Sequence, residues 1–506
     1  MRLLALALLA TGAILRIYIY LQNRNLIIDE ANVARNIYER GFEALLQPLS
    51  YYQYAPPTFL WITKLNSLIF GMGEWSLRLY PLLCGLAALV LFYKTLKELI
   101  PLKAIWYPVS LFVFCALFIR YSSELKQYMP DIFIALALIW TALKVDMNKF
   151  RPNGFILLWI VVGSLAIWSS MPSVFILAGV GGYYFWQHVV VQKQYNKLAH
   201  LALISIVWVG QFLLYYFLLL KEQANSDYLQ NFHHYDFLFA TPSKPEEWQH
   251  NWYVFSALMR QFEGIYPYVH DINTGFIIAG VIMLLRKARP LFFLLVAPVL
   301  GLCFAAAIDQ YSLMPRVALF IIPVLILIIS YGFAQFAYLK SLPLRGLLVL
   351  LALYAAGCNI AFMMEKPFKY EELTEGMQFV QDKEVKPEAI SIYHSSVPAF
   401  TYYTQIHPGK EQWAGIKDAD HLYWYTNYDS LAWFMRHIWS SRQPLGILYT
   451  NCTEAEFKKR NDGVLKHMDL YDKLNKPYIK AYIYIKPKEE DTCTTHGLAP
   501  VFEPQY

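Results

Sequence analysis

The chain has 506 residues, 57% of them hydrophobic and only 16% charged, whereas a soluble protein of that length carries about a quarter charged residues. This composition excludes a plain set of soluble domains. The net charge of +6 calls for no nucleic-acid partner, because cations at membrane surfaces account for it.

Long apolar runs recur from the start to about Phe362, so most of the chain is expected in a bilayer. The first, Leu3 to Leu21, follows Arg2 as a signal peptide would. Arg16 and the Tyr18/Tyr20 end suit an uncleaved anchored helix better. Just beyond it stand Asp29 and Glu30. Asp29 is placed to cap a helix from Glu30 to Arg40 that stops before Gly41. A cap and a chemical role are compatible for one carboxylate.

Further spans are expected at about 77–94, 104–120, 130–143, 155–170, 172–190, 199–220, 272–285, 290–308, 316–338 and 343–363. Pro57 to Phe70 is ambiguous, because Gly71-Met72-Gly73 cuts it short; counted as a span, it would reverse every later loop. The basic residues arbitrate. With that segment lying on the outer surface, one side receives Lys94/Lys97/Lys103, Lys144/Lys149/Arg151, Lys193/Lys197, Arg286/Lys287/Arg289 and Lys340/Arg345. This is a consistent positive-inside bias. The opposite face receives Asp29/Glu30, Glu74, Arg120 to Asp131, the loop 221–271, and Asp309 to Arg316. The reading is a mainly α, polytopic membrane protein with about eleven spans, a surface helix, a cytoplasmic N-terminus and an exterior C-terminal part.

The membrane part is expected over 1–365 and a small soluble α/β domain over 370–506. Glu371 to Lys383, Val397 to Gln405, Ser430 to Ser441 and Glu454 to Leu470 read as helices. Ala389 to Tyr393, Leu445 to Tyr449 and Tyr478 to Ile485 read as strands. Cys452 and Cys493 fall on the exterior face, where a disulfide is permitted. Cys84, Cys115, Cys303 and Cys358 fall in spans as small apolar residues.

On the exterior face the polar residues converge. Tyr54-Ala55-Pro56-Pro57 starts a helix cleanly, and Gly73-Glu74 precedes Arg78 at the head of a span. The second loop reads Arg120-Tyr121-Ser122-Ser123-Glu124-Leu125-Lys126-Gln127-Tyr128-Met129-Pro130-Asp131. A surface ion pair between Arg120 and Glu124, four residues apart, and interface anchoring by Lys126 and Tyr128 would explain these residues without chemistry. Several ionisable residues beside one span also mark a functional site. Tyr311 and Arg316 add to the same depth. The adjacent His233-His234 pair points apart on a helix or strand and makes a poor metal site.

Taken in order, the Asp-Glu pair, the Pro-Pro helix, Gly-x-Glu with a downstream Arg, Tyr-Ser-x-Glu-x-Lys-x-Tyr and the late Pro-Arg resemble the GT-C membrane glycosyltransferases. The likeness is to bacterial relatives of the protein O-mannosyltransferases and the lipid A aminoarabinose transferase (glycosyltransferase family 39). It covers roughly residues 1–365. Lys126 stands where arginine is commoner, and Val317 where tyrosine often follows.

The resemblance implies transfer of one sugar from a polyprenyl-phosphate carrier to an acceptor hydroxyl at the periplasmic face of a bacterial inner membrane. The acceptor would be a protein, lipid A or a glycan. Asp29 is then the general base and Glu124 a second acid. Lys126 and Arg316, with Arg78, Tyr128 and Tyr311 behind them, hold the departing phosphate. Glu30 supports Asp29. A divalent ion, Mg²⁺ or Mn²⁺, held by Asp29 and Glu124 is left open. A lipid-linked-sugar flippase would spread charges through both bilayer halves and show inverted repeats. The charges instead gather on one face, and no repeat is evident. En bloc glycan transfer or polymerisation remains a further alternative.

Overall fold

The computed structural model describes residues 2–224, 226–263, 269–336, 342–365, 371–422, 444–466 and 468–485. The chain divides into two compact units. One comprises Met1–Arg24 and Asp29–Lys369, the other Asn25–Ile28 and Tyr370–Tyr506.

The first unit is helical, and each predicted span overlaps helix among the described residues, although 104–105 and 316–318 are turns. Among the described residues, six helices are long and apolar enough to cross a membrane: Leu3–Leu21, Glu74–Leu99, Pro152–Ser169, Ser173–Val191, Lys197–Leu220 and Arg289–Ala307. The chain is a multi-pass membrane protein. The span expected at 104–120 is broken into Trp106–Phe114 and Ala116–Tyr121 by the extended residue Cys115. Close helix packing rests on small residues, as expected where lipid supplies no hydrophobic drive between helices. A Cβ on Gly280 would stand 2.3 Å from the Ile328 carbonyl oxygen, and one on Gly332 would stand 2.1 Å from that of Phe276. The helices Val269–Lys287 and Ile322–Phe336 therefore touch backbone to backbone.

Pro57–Phe70 is a helix of 14 residues, with Pro57 in its first turn and Gly71 at φ 84° ending it. Trp61, Leu65, Leu68, Ile69 and Phe70 are exposed on it, an apolar surface suited to lying in a lipid interface. The helix after the first span runs Ile28–Glu39. It begins two residues earlier than the sequence reading, so Asp29 sits inside its first turn rather than capping it.

The second unit is a five-stranded sheet with helices. The strands are β1 (Ile390–Tyr393), β2 (Asp420–Leu422), β3 (Leu445–Tyr449), β4 (Asp469–Lys476) and β5 (Ile479–Ile485), ordered β2-β1-β3-β5-β4. β1 pairs in parallel with β2 and β3, while β5 runs antiparallel to β3 and β4. The three predicted strands are present. The helix expected over Glu454 to Leu470 stops at Leu465, and β4 follows. As an edge strand, β4 carries Asp469, Asp472, Lys473 and Lys476, charges that discourage further pairing and mask its strand pattern. The Ser430 to Ser441 helix and Cys493, hence its pairing with Cys452, lie outside the described residues.

The tetrapeptide Asn25–Ile28 is held within this second unit. The Leu26 N–H donates to the Tyr403 hydroxyl at 2.9 Å and the Ile28 N–H to Glu371 Oε1 at 3.1 Å. Asn25 Oδ1 accepts from the backbone N–H of Thr374 at 2.8 Å.

Candidate active site

The helix Ile28–Glu39 organises the site. Its polar face pins the loop that follows. Asn36 exchanges hydrogen bonds with Ser50, its Nδ2 reaching Ser50 O at 3.2 Å and its Oδ1 accepting from Ser50 N at 3.0 Å. Arg40 donates to Pro48 O at 2.9 Å and Ser50 Oγ at 2.7 Å. Arg35 donates to the Tyr51 hydroxyl at 2.6 Å. So held, Tyr51 and Tyr52 adopt left-handed backbone at φ 65° and 53°, a strain that persists only when the surroundings impose it. The turn delivers Gln53 to Asp29.

Asp29 Oδ1 accepts from Gln53 Nε2 at 3.4 Å, while its Oδ2 lies 3.7 Å from Lys126 Nζ and 3.9 Å from Arg316 Nη1. Lys126 Nζ in turn donates to Gln53 Oε1 at 2.8 Å. The Lys126 ammonium holds the Asp29 carboxyl below the usual carboxylate range; burial opposes this, and Arg316 and Gln53 add to it. The two cations share this one carboxylate and so face it with a surplus of positive charge. The side chain of Asp29 is 32% exposed, so it is reachable.

Arg316 sits on a turn that Tyr311 fastens, the Tyr311 hydroxyl donating to Val317 O at 2.9 Å. Its guanidinium lies 5.7 Å from the centroid of the Phe232 ring. Burial opposes its charge, but Tyr128 and then Asp29 outweigh burial and raise its pKa. His233 is pushed down to about 4 by burial and then by Arg316, so it is neutral at physiological pH. Tyr128 is buried and packs edge-on to Tyr121 at 4.8 Å.

The other predicted residues form a second cluster. Arg78 grips Glu30 with two prongs, Nε to Oε1 at 2.8 Å and Nη2 to Oε2 at 2.6 Å, and donates to Arg24 O at 2.7 Å. Glu30 Oε1 also accepts the Leu125 N–H at 2.7 Å. Glu124, 1% exposed, is paired with Arg120 at 2.6 Å and Arg24 at 3.3 Å. The Arg120–Glu124 pair foreseen as a surface feature is therefore buried on its acidic side.

The structure thus brings Asp29, Lys126 and Arg316 together, with Tyr128 beside them. Arg78, Glu30 and Glu124 are set in clamps behind, and Tyr311 supports the Arg316 turn. The donor set does not fit a divalent ion between Asp29 and Glu124, since one carboxylate faces two cations and the other is gripped by two arginines. Among the described residues no group of three His, Cys, Asp or Glu side chains is placed to hold a metal. Sequence reasoning passed over Gln53 and Arg24. Their only signals were position, one residue before Tyr54 and five before Asp29.

Comparison with known proteins agrees with this architecture. Residues 54–215 match the family model described as dolichyl-phosphate-mannose-protein mannosyltransferase. ArnT from Cupriavidus metallidurans, in its apo state, is 13% identical, with a TM-score of 0.51 over 94% of this chain and 97% of that one. Its structure bound to undecaprenyl phosphate is likewise 13% identical over the same shares, with a TM-score of 0.53. The oligosaccharyltransferase of Archaeoglobus fulgidus in the apo form is 11% identical, with a TM-score of 0.48 over 96% of this chain and 74% of that one. No curated protein matches the chain in sequence.

Fold and spans define the class by architecture: the chain is a multi-pass membrane protein with the GT-C fold. Within that class, residues 54–215 carry the pattern of the dolichyl-phosphate-mannose-protein mannosyltransferases.

Proposed function

We propose that the protein transfers a single sugar from a polyprenyl-phosphate carrier to an acceptor hydroxyl, with inversion, at the periplasmic face of a bacterial inner membrane. The observation that carries this reading is the Asp29 carboxylate held loosely, at 3.7 and 3.9 Å, against Lys126 and Arg316. A lipid phosphate needs fixed cations where negative charge grows as it departs. An acceptor hydroxyl needs a carboxylate within reach to take its proton. Both are present within one cluster.

The acceptor oxygen attacks the anomeric carbon while the carbon–oxygen bond to phosphate breaks. The electron pair stays on the phosphate, and the hydroxyl proton passes to Asp29. Before the donor binds, Lys126 and Arg316 weaken Asp29 as a base. An incoming phosphate competes for both cations and frees the carboxylate, so base strength follows donor loading. Glu30 and Glu124 act as positioning residues through their arginines. The likeness to ArnT, solved with undecaprenyl phosphate, and the positive-inside charge pattern support the lipid donor and the orientation.

The test incubates the purified protein with a panel of polyprenyl-phosphate sugars and measures release of polyprenyl phosphate. Turnover with at least one donor, absent in Asp29→Asn, is the expected result. Undiminished release by that variant would remove Asp29 as base.

A further inference from the structure

Near the cation cluster lies a second group of buried polar side chains that the transfer step, as described, does not use. Asp131 follows Lys126 by five residues, in the first turn of the helix Tyr128–Lys144. An acid there ordinarily serves the helix dipole. Asp131, however, is 4% exposed, and its Oδ1 has no hydrogen-bond partner. One turn earlier, Gln127 Oε1 is also buried without a partner. Two orphaned acceptors a turn apart call for a molecule that donates, because burying an acceptor unpaired is costly.

The surroundings are hydroxyls. The buried Ser170 lies within electrostatic reach of Asp131. Tyr54 and Tyr215, whose hydroxyls bond to each other, lie within its electrostatic range. The group adjoins the Asp29–Lys126 cluster. Tyr54 follows Gln53, which touches both Asp29 and Lys126. Tyr128 lies within electrostatic reach of Arg316, Asp29, Glu124 and Asp131.

We propose that Asp131 and Gln127, with the hydroxyls of Ser170, Tyr54 and Tyr215, form the pocket for the sugar ring of the donor. Its ligand class is a polyhydroxylated pyranose or furanose on a lipid phosphate. The anomeric carbon is one oxygen from the phosphate, so the ring must occupy space next to Lys126 and Arg316. Carboxylate and amide acceptors take ring O–H donors, and aromatic walls pack against the ring's C–H faces. The proposal rests on the polyprenyl-phosphate-sugar reading and adds which residues select the sugar.

The test uses the full-length protein in lipid nanodiscs, with two probes: polyprenyl phosphate, and the polyprenyl-phosphate sugar that turns over best. Asp131→Asn should raise the KM for the sugar donor at least about tenfold, with affinity for the sugar-free lipid unchanged. Tyr54→Phe, which removes only a hydroxyl, should change the ranking of donors that differ at one ring hydroxyl. Equal weakening of both lipids by Asp131→Asn would assign Asp131 to structure and overturn the pocket. An unchanged KM together with an unchanged ranking would leave only hydrated orphan atoms and overturn it too. A wild-type protein that binds neither lipid would instead overturn the donor reading, and the pocket with it.

Discussion

Asp29 acts only in the company of its neighbours, and those neighbours set its pH behaviour. Its pKa is depressed chiefly by Lys126. A depressed carboxylate contributes stability above its unfolded pKa and loses it as pH falls through the folded value. The Asp29 pairings therefore persist at neutral pH and are lost only in acid. In the pH profile of kcat/KM, which reports the free enzyme, the acid limb is expected below the ordinary carboxylate range. Lys126→Met should move that limb upward while lowering the rate. Asp29→Asn should cut kcat by about 10²- to 10⁴-fold, with lipid-phosphate binding retained in a direct binding assay. Asp29, Lys126 and Arg316 were legible in the sequence because ionisable residues beside apolar runs stand out. Gln53 was not, because a neutral amide has a bland explanation, and Asp131 was noted in the second loop but not singled out; burial and contacts set both apart.

At the scale of elements, the site depends on tying the helix Ile28–Glu39 to its neighbours. Arg78, from Glu74–Leu99, bonds Glu30 twice, and Glu30 holds the Leu125 amide of the second loop. One carboxylate thus fixes the helix that carries Asp29 to the loop that carries Lys126. Removing one partner leaves a buried charge alone, so Arg78→Met should cost about 3–5 kcal/mol of stability. The Glu30→Gln/Arg78→Met pair should be less damaging than the arginine change alone, as thermal denaturation in detergent would show. The elements themselves were largely readable from apolar runs, prolines and glycines. β4 escaped because its polar edge lacks the alternation that marks a half-buried strand, and the break at Cys115 escaped because an apolar run does not reveal where its helix stops.

At the scale of the molecule, the orientation predicted from basic residues has a direct check. Cysteines placed at the exposed Tyr52 and Lys287 should label from opposite sides of intact vesicles; labelling from one side would sink the topology. Non-reducing mass spectrometry should find Cys452 joined to Cys493, and two free thiols would dismiss that bridge. The sequence reading divides the chain into a membrane part followed by a soluble part, and the loan of Asn25–Ile28 to the second unit was invisible to it, since its partners Glu371, Thr374 and Tyr403 lie more than 340 residues away in the sequence. That loan has a consequence for biosynthesis. The residues just ahead of Asp29 leave the ribosome more than 340 residues before their hydrogen-bonding partners are made. The segment leading into the helix that carries Asp29 must wait, inserted but unfinished, until translation has passed Tyr403. A chain stopped after Lys369 should reach the membrane, remain open to proteases near Leu26, and be inactive.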